Sequence, residues 1–381
     1  MKTVIAIDSF KGSISTFESG EAVAEALALV YPDAEAMISP LADGGEGTVE
    51  AIVASQRGFL CGTRVSGPLG EEIRAEYGII PDTKTAVIEM SAAAGLPLVP
   101  EDKRNPLYTT TYGVGELISH AIRSGCRKFI IGIGGSATND GGVGMLSALG
   151  YEFTDEDGNP VPHGAIGVGS IKKISTEGAL PELAECEFHI ACDVKNPLCG
   201  EMGASAVYGP QKGATPDMVK TLDAYLAEYA RLTKSILPHA DESFPGAGAA
   251  GGIGFAFHAY LGATLESGID IVVRESGLEK LIADADLVIT GEGRLDEQTS
   301  MGKAPIGVAR VAKKYGKTVI AFSGCVTDGA KECNANGIDA FFPIPRAPIT
   351  LSEAMNPDNA YKNLRDTAEQ VFRLYKTAQN R

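Results

Sequence analysis

The chain has 381 residues, room for two or three domains of ordinary size. Its 33 Lys and Arg stand against 49 Asp and Glu, a formal charge of −16, which argues against a nucleic-acid partner because such binding rests on basic groups displacing counterions from phosphate. A hydrophobic fraction of 44% excludes extensive disorder, and seven Cys without a C-x-x-C pair argue against a disulfide framework or zinc ribbon and for a cytoplasmic protein.

Thr3 to Ile7 is a short apolar, β-branched run ended by Asp8-Ser9, the pattern of a buried strand opening into a loop. Residues 16 to 31 follow as a helix, with Phe17, Ala24, Leu27 and Ala28 at helical spacing. Residues 60 to 90 carry Gly-Pro and Pro-Asp turns between short apolar segments and suggest hairpins. Helices are expected at 109–124 and 217–236, and strands at 128–133 and 187–192. Residues 246 to 265 lack any Asp, Glu, Lys or Arg, but six Gly and little Leu or Val favour a loop entering a buried helix over a membrane span. Strands are expected at 285–290, 318–323 and 339–344, with a helix at 304–315. A last helix over about 352–378 places Leu364, Ala368, Val371, Phe372 and Tyr375 on one face.

This alternation points to an α/β fold of two domains. An open parallel-sheet, Rossmann-like domain is expected from both chain ends, 1–64 and 282–381, with a second α/β domain, 65–281, inserted.

One short pattern recurs three times ahead of helical segments: Asp43-Gly44-Gly45-Glu46-Gly47, Asp140-Gly141-Gly142-Val143-Gly144 and Gly251-Gly252-Ile253-Gly254. Glycines there let a backbone approach a ligand and present N–H donors at the positive end of a helix dipole, as phosphate or carboxylate requires. Gly132-x-Gly134-x-x-Ala137 also matches a dinucleotide fingerprint after a strand, with Glu152 or Asp155 near the ribose spacing. It supports an alternative, a nicotinamide-dependent dehydrogenase of a small hydroxy acid. No P-loop is present, since Gly302-Lys303 is followed by Ala304 and Gly316-Lys317-Thr318 lacks its first Gly.

The remaining polar residues cluster in Gly-rich segments: Asp8, Ser9 and Lys11; Asp43 and Glu46; Asn139 and Asp140; Asp193, Lys195 and Asn196; Gln211 and Lys212; Glu292, Arg294, Asp296, Gln298, Thr299 and Lys303. As a set they suit phosphoryl transfer, which needs donors on phosphate, carboxylates for Mg²⁺ and a carboxylate near the attacking hydroxyl.

The segments DSFKGSIS (8–15), PLADGGEGT (40–48), IGGSATNDGG (133–142), ACDVKNPL (191–198), YGPQKGA (208–214), GAGAAGGIG (246–254) and GEGRLDEQTSMGK (291–303) closely resemble the type-1 glycerate kinase family. The likeness runs in order through nearly the whole chain, with Tyr208 standing where the family is expected to carry Phe. It implies a two-domain α/β enzyme that phosphorylates D-glycerate to 2-phosphoglycerate with ATP and Mg²⁺, in the breakdown of small hydroxy acids.

On that footing ligands are expected in a cleft between the domains. Arg294 or Lys11 with the Gly44 and Gly45 amides would take the glycerate carboxylate, beside Asp8, Ser9 and Asp43. Asp193 or Asp296 would accept the hydroxyl proton, and the other, with Glu292, would hold Mg²⁺. Lys212 and Lys303 would neutralise phosphate oxygens, and Gly134, Gly135, Ser136, Thr138, Asn139, Gly248, Gly251 and Gly252 would contact the nucleotide. Neither a membrane nor a nucleic acid is an expected partner.

Overall fold

Thirteen short strands run through the computed structural model, which describes residues 1–379. In chain order these are β1 (Lys2–Ile7), β2 (Glu35–Ile38), β3 (Phe59–Ser66), β4 (Glu72–Ile80), β5 (Thr85–Glu89), β6 (Lys128–Gly132), β7 (Glu152–Thr154), β8 (Lys173–Ser175), β9 (Glu187–Ala191), β10 (Thr264–Glu266), β11 (Leu287–Leu295), β12 (Thr318–Val326) and β13 (Ala340–Pro343). By Cα proximity the chain divides into two compact units. Unit 1 comprises Met1–Asp43, Glu50–Gln56 and Ile269–Arg381; unit 2 comprises Gly44–Val49 and Arg57–Gly268. The expected boundaries after residues 64 and 281 therefore fall inside unit 2 and unit 1 respectively. The first moves because β3 pairs along its whole length with β4.

Unit 1 carries an all-parallel sheet in the order β13-β12-β11-β1-β2. From β1 the chain steps to β2 on one side, and from β11 outward to β13 on the other, so the strand order reverses between β1 and β11. In open α/β sheets such a switch point, at the carboxyl ends of the two strands, leaves a crevice where ligands bind. The helix Thr16–Val30 starts on a capping box between Ser15 and Glu18. Its buried face is Ala22, Val23, Ala26, Leu27 and Val30, whereas Ala28 is exposed, which corrects the expected stripe. That face shares one core with Leu364, Ala368 and Phe372 of the helix Pro357–Gln379. The expected final helix is broken at its start: Leu351–Met355 and Pro357–Gln379 are separate, because a residue before Pro is driven out of the α region and Asn356 has ψ 125°.

Unit 2 carries a mixed sheet in the order β10-β9-β6-β5-β4-β3. β3, β4 and β5 run antiparallel as a meander, matching the turn-rich sequence at 60–90, and β5, β6, β9 and β10 run parallel. The uncharged stretch at 246–265 is a loop leading into the helix Ile253–Leu261, whose Phe255 and Phe257 are core residues. Among the described residues no helix is long and apolar enough to cross a membrane.

Candidate active site

β1 and β11 are held together at the switch point by backbone. Asp8 N donates to Gly291 O at 2.9 Å, and a Cβ on Gly291 would stand 2.2 Å from the Phe322 carbonyl oxygen, so only glycine lets β11 run this close to β12. The loop after β1, the end of β11 and the segments that follow β2 and β11 line one cavity of about 350 Å³, which brings Asp8, Ser9, Lys11, Asp43, Glu292, Arg294, Asp296 and Lys303 together. Eight sequence-predicted polar residues thus share one site in unit 1.

The electrostatics of this cavity are those of crowded carboxylates among cations. Asp8 is 2% exposed. Burial pushes its carboxyl up to about 7, Asp43 and Glu292 push the same way, and Lys11 and the Ser9 N–H, which donates to Oδ1 at 2.7 Å, oppose them. Burial works against the Lys11 ammonium, but the Asp43 and Asp8 carboxylates outweigh it and raise its pKa. Its Nζ lies 3.2 Å from Asp43 Oδ2. Glu292 is raised by burial, against the Thr299 hydroxyl, which donates to its Oε1 at 2.6 Å, and against Lys303. Asp296 caps the short turn Glu297–Ser300, with Oδ1 accepting from Thr299 N at 3.2 Å, and its Oδ2 lies 3.3 Å from Arg294 Nε.

These oxygens are the hard donors that Mg²⁺ prefers, and a divalent cation would relieve the crowding that raises Asp8 and Glu292. Among the described residues no three His, Cys, Asp or Glu side chains form a group able to hold a metal ion by themselves.

Unit 2 gathers the other predicted residues: Gly44 and Gly45, the 133–142 loop, Asp193, Lys212 and the 246–254 loop. The Gly44 carbonyl oxygen would lie 2.3 Å from a Cβ on Gly132, and Gly45 Cα 3.5 Å from one on Gly134. Lys212 is 2% exposed, and its ammonium donates to Ser136 Oγ at 2.7 Å and Thr138 O at 2.6 Å. Burial lowers its pKa to about 7, with Asp140 opposing. Thr138 Oγ1 and Asn139 Oδ1 are buried without a partner, while Asn139 Nδ2 donates to Ser205 Oγ at 2.9 Å. Buried polar atoms without a protein partner ordinarily pair with ordered water or a ligand. Asp193 Oδ1 accepts from Gly268 N at 3.1 Å.

Asp140 holds this loop. Its carboxylate accepts from Thr111 N and Thr111 Oγ1, both at 2.8 Å, and from Gly142 N and Gly144 N at 3.2 and 3.3 Å. At the 246–254 glycines the place of the missing side chain is taken by the protein's own atoms. A Cβ would stand 2.1 Å from Pro197 O at Gly248 and 2.0 Å from Thr138 O at Gly251, and at Gly252 would meet Leu198 Cδ1 at 2.8 Å.

The dehydrogenase alternative fails on the same loop. A dinucleotide fingerprint needs a helix opening at its third small residue. Here residues 133–142 are irregular, Ala137 N pairs with Ala94 O, and the next helix begins at Val143. Missed by sequence reasoning is the apolar side of the unit 1 cavity, Ile344, Pro345, Ile349, Leu351 and Met355. The Pro-rich run between a strand and the last helix was its one visible signal.

The model of the glycerate kinase family matches residues 3–376. A glycerate 2-kinase of Escherichia coli K12 is 50% identical over 365 residues, 96% of this chain and 95% of that protein. A glycerate kinase of Bacillus subtilis 168 is 46% identical over 378 residues, 99% of this chain and 98% of that protein. A crystal structure of a provisionally named glycerate kinase 2 from Salmonella typhimurium LT2 superimposes with a TM-score of 0.91, at 48% identity over all of both chains.

Proposed function

The chain belongs to the glycerate kinase family and is a phosphotransferase; from that premise we propose that it moves the γ-phosphoryl group of ATP to the 2-hydroxyl of D-glycerate, giving 2-phosphoglycerate and ADP. The observation that carries the reading is the switch-point cavity, lined by Lys11, Arg294 and Lys303 together with Asp8, Asp43, Glu292 and Asp296. Small anions need such cations on a chain of net charge −16.

In this reading Arg294 or Lys11, with the Gly44 and Gly45 N–H groups, holds the glycerate carboxylate, and Asp8, Ser9 and Asp43 orient its hydroxyls. Asp193 or Asp296 takes the hydroxyl proton as the new O–P bond forms, and ADP leaves with the electron pair of the broken P–O bond. Lys212 and Lys303 balance charge on the phosphoryl and leaving oxygens, and Ser136, Thr138 and Asn139 offer hydrogen bonds to them. Glu292, with whichever of Asp193 and Asp296 is not the base, would supply the carboxylates for Mg²⁺, which when bound would neutralise charge on the phosphate.

Asp193→Asn and Asp296→Asn test the roles by glycerate-dependent ADP release. The variant lacking the base is expected to fall well beyond tenfold, a loss exceeding about 1.4 kcal/mol in the barrier. Both variants within about tenfold of the parent would remove the two aspartates from the chemistry.

A further inference from the structure

The lining of the unit 1 cavity is of two chemical kinds. One part carries the cations and carboxylates already described. The other comes from the connection after β13 and presents Ile344, Pro345, Ile349, Leu351, Ala354 and Met355. Ile349, Leu351 and Met355 leave 39%, 78% and 37% of their surfaces exposed. Met355 also closes on the loop after β1, where a Cβ on Gly12 would lie 3.0 Å from its Cε.

Glycerate has no use for such a wall. Every carbon of this three-carbon acid carries oxygen, and it would fill a small part of about 350 Å³. That volume falls in the range of pockets that bury a ligand of nucleoside size. Of the substrates in the proposed reaction, the one flat apolar surface is the nucleobase, and it is covalently tied to the phosphates that Lys303, which lines the same cavity, would attract. Asn363, on the helix Pro357–Gln379, also lines the cavity; its amide is the group that pairs with both N6 and N7 of adenine. A switch point of this strand order is, on general grounds, a nucleotide crevice. The glycines at 248, 251 and 252, by contrast, are filled by the chain's own atoms.

We propose that the apolar wall at 344–355, with Asn363, is the adenine subsite of the phosphoryl donor. The inference rests on ATP being that donor. It assigns the base to unit 1 and leaves the hydroxyls and amine of unit 2 to polar groups.

Photolabelling of the unmodified protein with 8-azido-ATP tests it without requiring turnover. The ATP-protected label is expected within residues 344–363. Label within 132–144 or 246–254, or no ATP-protected label, overturns the proposal. In kinetics, Ile349→Asp is expected to raise KM for ATP about tenfold or more and to leave KM for glycerate within about twofold. An unchanged KM for ATP overturns it. Asn363→Ala, on a partly exposed helix position, is expected to shift the same constant in the same direction if Ile349→Asp does not fold. Label at 344–363 with no glycerate-dependent ADP release supports the subsite and defeats glycerate as the acceptor.

Discussion

Lys212→Met separates the cost of a buried amine from its use. The fall of the Lys212 pKa from 10.5 to about 7 corresponds to about 5 kcal/mol against the charged form, at 1.36 kcal/mol per pKa unit. Between pH 7 and 10.5 the unfolded chain binds a proton that the folded chain does not, so the parent gains stability as pH rises through that window. Below pH 7 the full cost is present. Methionine removes the charge and keeps a flexible stem of similar length, but it gives up the bonds to Ser136 Oγ and Thr138 O, about 1 kcal/mol each. The variant should therefore be more stable than the parent by about 3 kcal/mol at pH 6, with the advantage vanishing near pH 9, and it should lose turnover. Urea unfolding followed by far-ultraviolet circular dichroism is the suitable assay, since the chain has no Trp. Equal destabilisation at pH 6 and pH 9, with turnover kept, would refute both the burial cost and the functional reason for tolerating it.

Asp8→Asn should remove a pH dependence of the opposite sign. The folded Asp8 keeps its proton up to about 7 against an ordinary 3.8, so the parent loses stability as pH rises through that interval; the variant should gain up to about 4 kcal/mol relative to it between pH 4 and pH 8, while losing activity. Gly251→Ala, with φ +79° and a Cβ 2.0 Å from Thr138 O, should cost well over about 2 kcal/mol in thermal unfolding. Gly262→Ala, with φ +60° in open space, should cost only about 1 kcal/mol. Arg294→Ala should raise KM for glycerate with a smaller change in kcat, as steady-state kinetics would read it.

Legibility in the sequence followed the strength of the local signal. β1, β6 and β12 are visible because buried parallel strands are near-continuous apolar runs. β2 is not, since Glu35–Ile38 is a largely exposed edge strand without alternation. The β7-β8 hairpin joins residues 152–154 to 173–175, too far apart for turn chemistry to announce. β11 runs five residues past the apolar segment because Arg294 still pairs with Cys325 after the glycines end the hydrophobic pattern. The candidate residues were named from their loops, but which loops share a site depends on strand order, and that is set by long-range packing. Likewise, spacing alone suggests an anion cradle at Gly251, Gly252 and Gly254, and it carries no information on what packs against them. What distinguishes the two uses is which atoms occupy the place of the missing Cβ, a fact about distant parts of the chain.

Phosphorus-31 NMR of the products formed from ATP and D-glycerate with Mg²⁺ tests the central claim most directly. The predicted result is ADP and 2-phosphoglycerate in equal amounts, formed only when both substrates are present. The appearance of 3-phosphoglycerate would contradict the assigned hydroxyl, and no glycerate-dependent ADP would contradict the account as a whole.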